Sequence, residues 1–351
     1  MRSGDYTEFT AVPVLIARDL CFRRGNRFKL SSRNSHGEGS LSRAADVSPV
    51  CIVIPTYNRA QALRICLEHL EKQSWTDFEV IVVDDGSTDS TPQQVEQYLR
   101  SDSLRLRYFR QKNSGPARAR NLAISLTQSP ICLIIGDDIF ATPNFVRTHL
   151  EFHQKHPPIQ IACLGLTKWS QSGQTVTPFM RWLDEGGMQF SYHDLLSGAN
   201  PDWKHFYTSN ISLKTEFLRK NPFNETFTKA AAEDLELGYR LEVKHGLEII
   251  FLPQALAYHL HPTNFRQACK RMYGVGISMR QFHELWPEHR PIAKNSLIRT
   301  IKGTLLRNQW LVSPLIPLVS GLTRVWCPNP FMRQLLAYHF AAGYRSKIQA
   351  D

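Results

Sequence analysis

The sequence contains no run of about twenty apolar residues, the length a membrane-crossing helix needs. Residues 310–323 carry no charge, but Pro314 and Pro317 interrupt any straight helix through them. Near the start, the short apolar stretch 11–17 contains Pro13 and lacks the pattern of a secretory leader. Cysteine is sparse and unpaired in spacing: seven residues, at 21, 51, 66, 132, 163, 269 and 327, form no Cys-x-x-Cys. That spacing and the odd number imply a reducing, cytoplasmic compartment. Glycine is missing where many nucleotide-binding folds need it. The first strongly apolar run, 50–54, is followed by Pro55-Thr56-Tyr57-Asn58-Arg59. The absence of glycine in that turn argues against a dinucleotide site, a phosphate-binding P-loop and a glycine-rich nucleotidyltransferase loop.

The chain has 351 residues, enough for one large domain with appendages, and its 42% hydrophobic and 21% charged content is that of a globular protein. The net charge of +11 is unevenly placed: residues 266–351 hold 13 Lys and Arg against 3 Asp and Glu. Residues 1–47, rich in Arg and Ser, read as a flexible leader, 48–265 as the main domain, and 266–351 as a basic, mainly helical region.

Apolar runs at 50–54, 78–83 and 131–135, and a further strand at 105–109, alternate with helical patterns. The second helix opens with Thr91-Pro92-Gln93-Gln94, a capping residue followed by proline at the first helical position. This rhythm predicts an α/β fold with a doubly wound, mostly parallel sheet. Further strands are expected at 159–166, 207–213 and 248–252, helices at 144–155 and 233–245, and loops or a flap over 168–204.

Two of these strands stop at paired carboxylates: Val82-Val83-Asp84-Asp85-Gly86 and Ile134-Ile135-Gly136-Asp137-Asp138. Residues leaving the carboxyl edge of a parallel sheet sit where such sheets bind ligands. Two acidic pairs at one edge call for a cation, or a base rich in donors, between them. Asp84 and Asp85 can accept from a base N–H, and the same residues can serve as turn and cap. Asn113-Ser114-Gly115-Pro116-Ala117-Arg118-Ala119-Arg120 opens a helix whose free amides suit an anion, with Arg118 or Arg120 adding charge. Glu233-Asp234 is either a general-base element or an acidic helix start matched to its dipole. His259 and His261 flank Leu260 and would share one face of a strand, where imidazole can ligate a metal.

Taken in order, residues 54–59, 82–89, 113–123 and 133–138 resemble the inverting family 2 glycosyltransferases of the A-type fold, over about residues 50–265. The resemblance implies a sugar moved with inversion from a UDP- or GDP-sugar to a glycan or lipid-linked acceptor, with Mg²⁺ or Mn²⁺ as cofactor and no nucleic acid involved. It assigns the donor to Pro55, Thr56, Tyr57, Arg59, Asp84, Asp85, Gly115, Arg118, Asp137 and Asn210. Asp138 becomes the metal ligand with His259 as a further one, Asp234 the general base, and Glu233 a shaper of the acceptor pocket. Gly136 stands where the first Asp of the family's Asp-x-Asp motif belongs. This departure leaves a degenerate, non-catalytic nucleotide-sugar-binding protein as the alternative, beside a sugar nucleotidyltransferase. The basic tail suits an anionic membrane surface, at the inner face of the plasma membrane, or a helical subdomain packed on the core.

Overall fold

The computed structural model describes residues 47–346, apart from 102, 187–188, 229–230, 291–313 and 324–328. The expected leader therefore lies outside the described residues except for Val47, as do residues 310–313 of the uncharged tail segment. The first half alternates as the sequence predicts: β1 (Val50–Thr56), α1 (Ala60–Glu71), β2 (Glu79–Asp84), α2 (Thr91–Ser101), β3 (Arg105–Arg110), α3 (Pro116–Leu126) and β4 (Ile131–Ile135). Every residue of β2 and β4 is buried, which is why their apolar runs show no alternation.

The second half contributes β5 (Ile139–Ala141), α4 (Phe145–Lys155), β6 (Ile161–Trp169), α5 (Pro178–Glu185), α6 (Tyr192–Leu196), β7 (Asn210–Lys214), α7 (Thr215–Lys220), α8 (Glu233–His245) and β8 (Glu248–His259). The helices α9 (Phe265–Leu285), α10 (Leu315–Leu322) and α11 (Asn329–Arg345) follow. The eight strands form one mixed sheet in the order β3-β2-β1-β4-β7-β6-β8-β5. β1 to β4 pair in parallel, β7 enters antiparallel between β4 and β6, and β8 runs parallel to β6. Strands β1, β2, β4 and β8 therefore end at the same edge. Apolar clusters fill both faces, one around Ile52, Leu67 and Val82, the other around Val53, Ala119 and Leu237.

Two expectations need correction. The strand expected at 248–252 continues to His259, because a register shift between Gly165 and Leu166 of β6 lets the pairing resume at Leu256. A side chain at Gly165 would come within 2.4 Å of Ala255 O and of the Asn210 amide, so only glycine accommodates this crossing. The segment 168–204 is not simply loop, since it holds α5 and α6. The signal for α5 was Thr177-Pro178: Thr177 Oγ1 accepts from Met180 N, and proline occupies the first turn.

The basic C-terminal region packs on the body. Val319 of α10 joins Phe179 and Trp182 of α5, Phe265 and Cys269 of α9, and Leu335 of α11. α9 and α11 approach to backbone contact, since a Cβ at Gly276 would lie 2.1 Å from Phe340 O and one at Gly343 1.9 Å from Tyr273 O. Leu318 and Leu322 of α10 remain exposed. Among the described residues, no helix is long and apolar enough to cross a membrane.

Candidate active site

The two acidic strand ends meet at the common sheet edge, and each is held differently. Behind β2, Asp84 is fully buried and accepts from Ser87 N at 2.7 Å and Tyr108 Oη at 2.6 Å. Asp85 Oδ1 accepts from Gln111 Nε2 and Ser114 N, while Oδ2 accepts from Gly115 N at 2.8 Å. Asp85 thus fixes the start of α3 against the end of β2. Gly115 has φ +92°, and a Cβ there would stand 2.5 Å from Thr228 O. It is glycine both for its left-handed backbone and for that close approach. Arg118 points to solvent, whereas Arg120 is buried.

The turn after β1 ties the two ends together. Asn58, at φ +52°, takes the conformation that glycine supplies elsewhere. Its backbone N–H donates to Ser87 Oγ at 2.8 Å, and its Oδ1 accepts from Thr88 N at 2.7 Å. Thr56 Oγ1 donates to Asp137 Oδ2 at 2.7 Å. Pro55 lies between the two in β1, and Tyr57 is exposed.

Behind β4, Asp137 and Asp138 are buried side by side with Arg59 against both. Arg59 Nη1 donates to Asp137 Oδ1 at 3.1 Å and to Asp138 Oδ2; Nη2 lies 2.8 Å from His261 Nδ1. His259 Nε2 and His261 Nδ1 lie 3.2 and 3.3 Å from the same Asp138 Oδ2. The rings are stacked, Trp169 on His259 at 5.3 Å and His259 on His261 at 5.2 Å between centroids. Burial and the neighbouring Asp138 charge push Asp137 up to about 6. Burial also works against ionised Asp138, yet His259 and Arg59 hold it well below the usual carboxylate range.

Asp138, His259 and His261 offer three ligand atoms within 4.8 Å of one another. An octahedral ion with bonds of about 2.1 Å sets adjacent ligands roughly 3.0 Å apart, close to the 3.2 and 3.3 Å seen here. These residues fit a divalent cation. The sequence reading chose Asp138 and His259; the structure adds His261, which its place one strand period from His259 already suggested.

Across the site, α8 begins at Glu233-Asp234. Arg120 Nη1 donates to Glu233 Oε1 at 2.9 Å, and Ala231 N to Glu233 Oε2 at 2.8 Å. Ala231 and Ala232 just before it have φ of +139° and +71°. Consecutive alanines in that region cost on the order of 1–3 kcal/mol each and occur where the surroundings force them. Asp234 is pushed up to about 7 by burial first and by the Glu233 charge second, with Arg120 opposing.

Two placements depart from expectation. Asn210 is buried within the sheet, where its Nδ2 donates to Leu166 O and Ala255 O and its Oδ1 lies 3.0 Å from His149 Nε2. Its amide holds the β6–β8 irregularity and is fully engaged there. Arg120 is locked to Glu233 instead of being free for an anion. Sequence reasoning missed Arg271 on α9, which donates to Gln189 and lies close enough to Asp234 and Asp138 to feel their charges. Arg271 and Gln267, one helical turn apart, line a cavity of about 700 Å³ with Arg59, Asp89, His261 and Thr263. Their spacing on the helix that directly follows the two histidines was the available signal.

The mixed eight-stranded sheet and its strand order, together with the likeness to a solved structure given below, show an A-type glycosyltransferase fold. Residues 51–212 match the family model described as Glycosyl transferase family 2, which supports a family 2 glycosyltransferase. A validoxylamine A glucosyltransferase of Streptomyces hygroscopicus subsp. jinggangensis is 34% identical over 220 residues, covering 56% of this chain and 51% of the relative. A chondroitin synthase of Escherichia coli is 27% identical over 271 residues, covering 69% of this chain and 39% of its own. The chain spans about half the length of the validoxylamine A glucosyltransferases it matches. Among solved structures, a mannosyltransferase of Pyrobaculum calidifontis superposes with a TM-score of 0.54 at 18% identity, covering 86% of this chain and 89% of that one, which is a likeness of fold.

Proposed function

We propose that this chain transfers a sugar from a nucleoside-diphosphate donor to an acceptor hydroxyl, with inversion and with the help of a divalent cation. The observation that carries the reading is the convergence of His259 Nε2 and His261 Nδ1 on Asp138 Oδ2 at the carboxyl edge of the sheet, with Arg271 close enough to feel the charges of both Asp138 and Asp234. The mannosyltransferase relative in fold is a complex with GDP-mannose and Mn²⁺, which agrees with this donor class. Two imidazoles with one carboxylate suit Mn²⁺ better than Mg²⁺, which prefers an all-oxygen shell. When bound, the cation neutralises charge on the departing diphosphate.

The protein's own residues account for the rest. Thr56 holds Asp137, and Asp85 holds the start of α3, so the donor edge is rigid before the donor arrives. Arg271 adds positive charge on the cavity side, where diphosphate leaves. Asp234 takes the acceptor hydroxyl's proton as that oxygen bonds to the anomeric carbon and the bond to the diphosphate breaks on the opposite face. With its pKa pushed up to about 7, Asp234 is poised to accept a proton near neutral pH. Glu233, fixed by Arg120, sets the position of α8 and keeps Asp234 basic.

Gly136 does not argue against catalysis, because the two histidines supply the ligands that a first aspartate would otherwise supplement. Glycan and lipid-linked acceptors both fit this reading; among the described residues, exposed Leu318 and Leu322 on α10 add apolar surface to the basic C-terminal region that suits an anionic lipid surface. The test is incubation with a panel of UDP- and GDP-sugars and Mn²⁺, following sugar release or transfer and the anomeric configuration by NMR. Turnover of one donor to the inverted product is expected. No turnover of any donor, or a retained configuration, would overturn the reading.

A further inference from the structure

Arg59 stands where the cation would stand. Its Nη1 touches Asp138 Oδ2 and its Nη2 lies 2.8 Å from His261 Nδ1, and both atoms belong to the candidate metal cluster. The contact from the arginine uses the His261 Nδ1 lone pair, because a guanidinium can only donate. A metal would need that same lone pair and the same carboxylate oxygen. Arginine and metal therefore exclude one another at these two atoms.

The arrangement has a clear electrostatic reason. Asp137 and Asp138 are buried side by side, and two such charges without a cation are strongly disfavoured. Arg59 neutralises them from the turn that leads into α1. It is also only half-buried, and it lines the cavity of about 700 Å³ beside Gln94, Thr263 and Arg271. A long, flexible side chain at the mouth of that space can leave the carboxylates without unfolding anything around it.

We propose that Arg59 is an exchangeable internal cation: a divalent metal displaces it from Asp138 and His261, and the freed guanidinium turns into the adjoining cavity to hold the diphosphate of the donor. The second half rests on the glycosyltransferase reading; the first half does not. A guanidinium fork pairs with phosphate oxygens as readily as with carboxylate. Metal and diphosphate then bind cooperatively through Arg59: metal frees the arginine, and the phosphate groups stabilise it once freed. That coupling is reciprocal by thermodynamic necessity. Arg59 is in this sense a positioning residue for the metal and a binding residue for the donor.

The test is calorimetric titration of Mn²⁺ into the full chain without nucleotide, for the parent, Arg59→Gln and Arg59→Lys. Arg59→Gln is expected to bind Mn²⁺ at least about tenfold tighter than the parent, and to melt lower than the parent in EDTA, where its carboxylates lose their counter-charge. Lysine cannot bridge Asp137, Asp138 and His261 at once, so Arg59→Lys should gain about two- to fivefold and serves if the glutamine variant does not fold. Mn²⁺ affinity unchanged or weaker in a folded variant, or no Mn²⁺ binding by parent and variants alike, overturns the exchange. Repeating the titration with UDP or GDP present tests the coupling. The factor by which the diphosphate tightens Mn²⁺ binding should shrink at least about fivefold in Arg59→Gln, and an unchanged factor overturns the role in holding phosphate. If the parent binds neither diphosphate with Mn²⁺, the glycosyltransferase reading fails, while the titration with metal alone still decides the exchange.

Discussion

Arg120 Nη1 and Glu233 Oε1 lie 2.9 Å apart, both side chains buried, joining the middle of α3 to the first residue of α8. The pair spans the site. One partner comes from the motif expected to face the donor, the other from the element expected to face the acceptor. Phe223 packs against the guanidinium with 5.4 Å from Arg120 Cζ to the ring centroid.

Removing one partner leaves the other charged and buried. Arg120→Met is expected to destabilise the fold by about 3–5 kcal/mol, read as a fall in the urea midpoint. It should also raise the Asp234 pKa further, because Arg120 is the cation that lowers it. The acid limb of the pH–rate profile should then move to higher pH, which a purely structural role would not produce.

Asp234→Asn keeps the shape of the base but cannot take a proton. Transfer is expected to fall by about 10²–10⁴-fold with donor affinity nearly unchanged. In the parent, activity should rise with pH through about 7 as Asp234 ionises, and that limb should vanish in the variant. Unchanged turnover would remove Asp234 from the mechanism.

Gly115→Ala combines a left-handed φ of +92° with a Cβ 2.5 Å from Thr228 O. A loss of about 2 kcal/mol or more is expected from the backbone strain and the forced shift of the backbone at Thr228. Denaturant unfolding of the purified variant measures it; a change within about 0.5 kcal/mol would show that the loop yields freely.

Gly136→Asp restores the family's missing acidic residue, and the motif alone suggests intact or stronger metal binding. The geometry points the other way. A Cβ at Gly136 would lie 2.9 Å from Asp138 Oδ1 and force that buried carboxylate to move. Mn²⁺ affinity is expected to fall about three- to tenfold by calorimetry; an increase would show that the added carboxylate outweighs the displacement.

The fold was legible where hydrophobic period and strand ends speak for themselves: 50–54, 78–83 and 131–135 are apolar because both faces of their strands are covered. The β6–β8 pairing was not, because its extension depends on a register shift that only the neighbouring Asn210 and Gly165 make possible. In the site, Asp137, Asp138 and the two histidines could be found from strand ends. Arg120 could not be assigned, since a helix start with two arginines does not say which faces inward. Arg118 is exposed and Arg120 buried because α3 presents residues 117, 120 and 124 to the core. Arg271 escaped notice because its partners come from elements far apart in sequence.

The central claim is that the Asp138, His259 and His261 cluster binds a divalent cation needed for holding a nucleotide sugar. Its most direct test is calorimetric titration of UDP- and GDP-sugars into the parent and Asp138→Ala, with and without Mn²⁺. The account predicts that at least one nucleotide sugar binds the parent only when Mn²⁺ is present, and that Asp138→Ala loses this binding. Binding by Asp138→Ala equal to that of the parent, or no Mn²⁺-dependent binding of any nucleotide sugar by the parent, would contradict it.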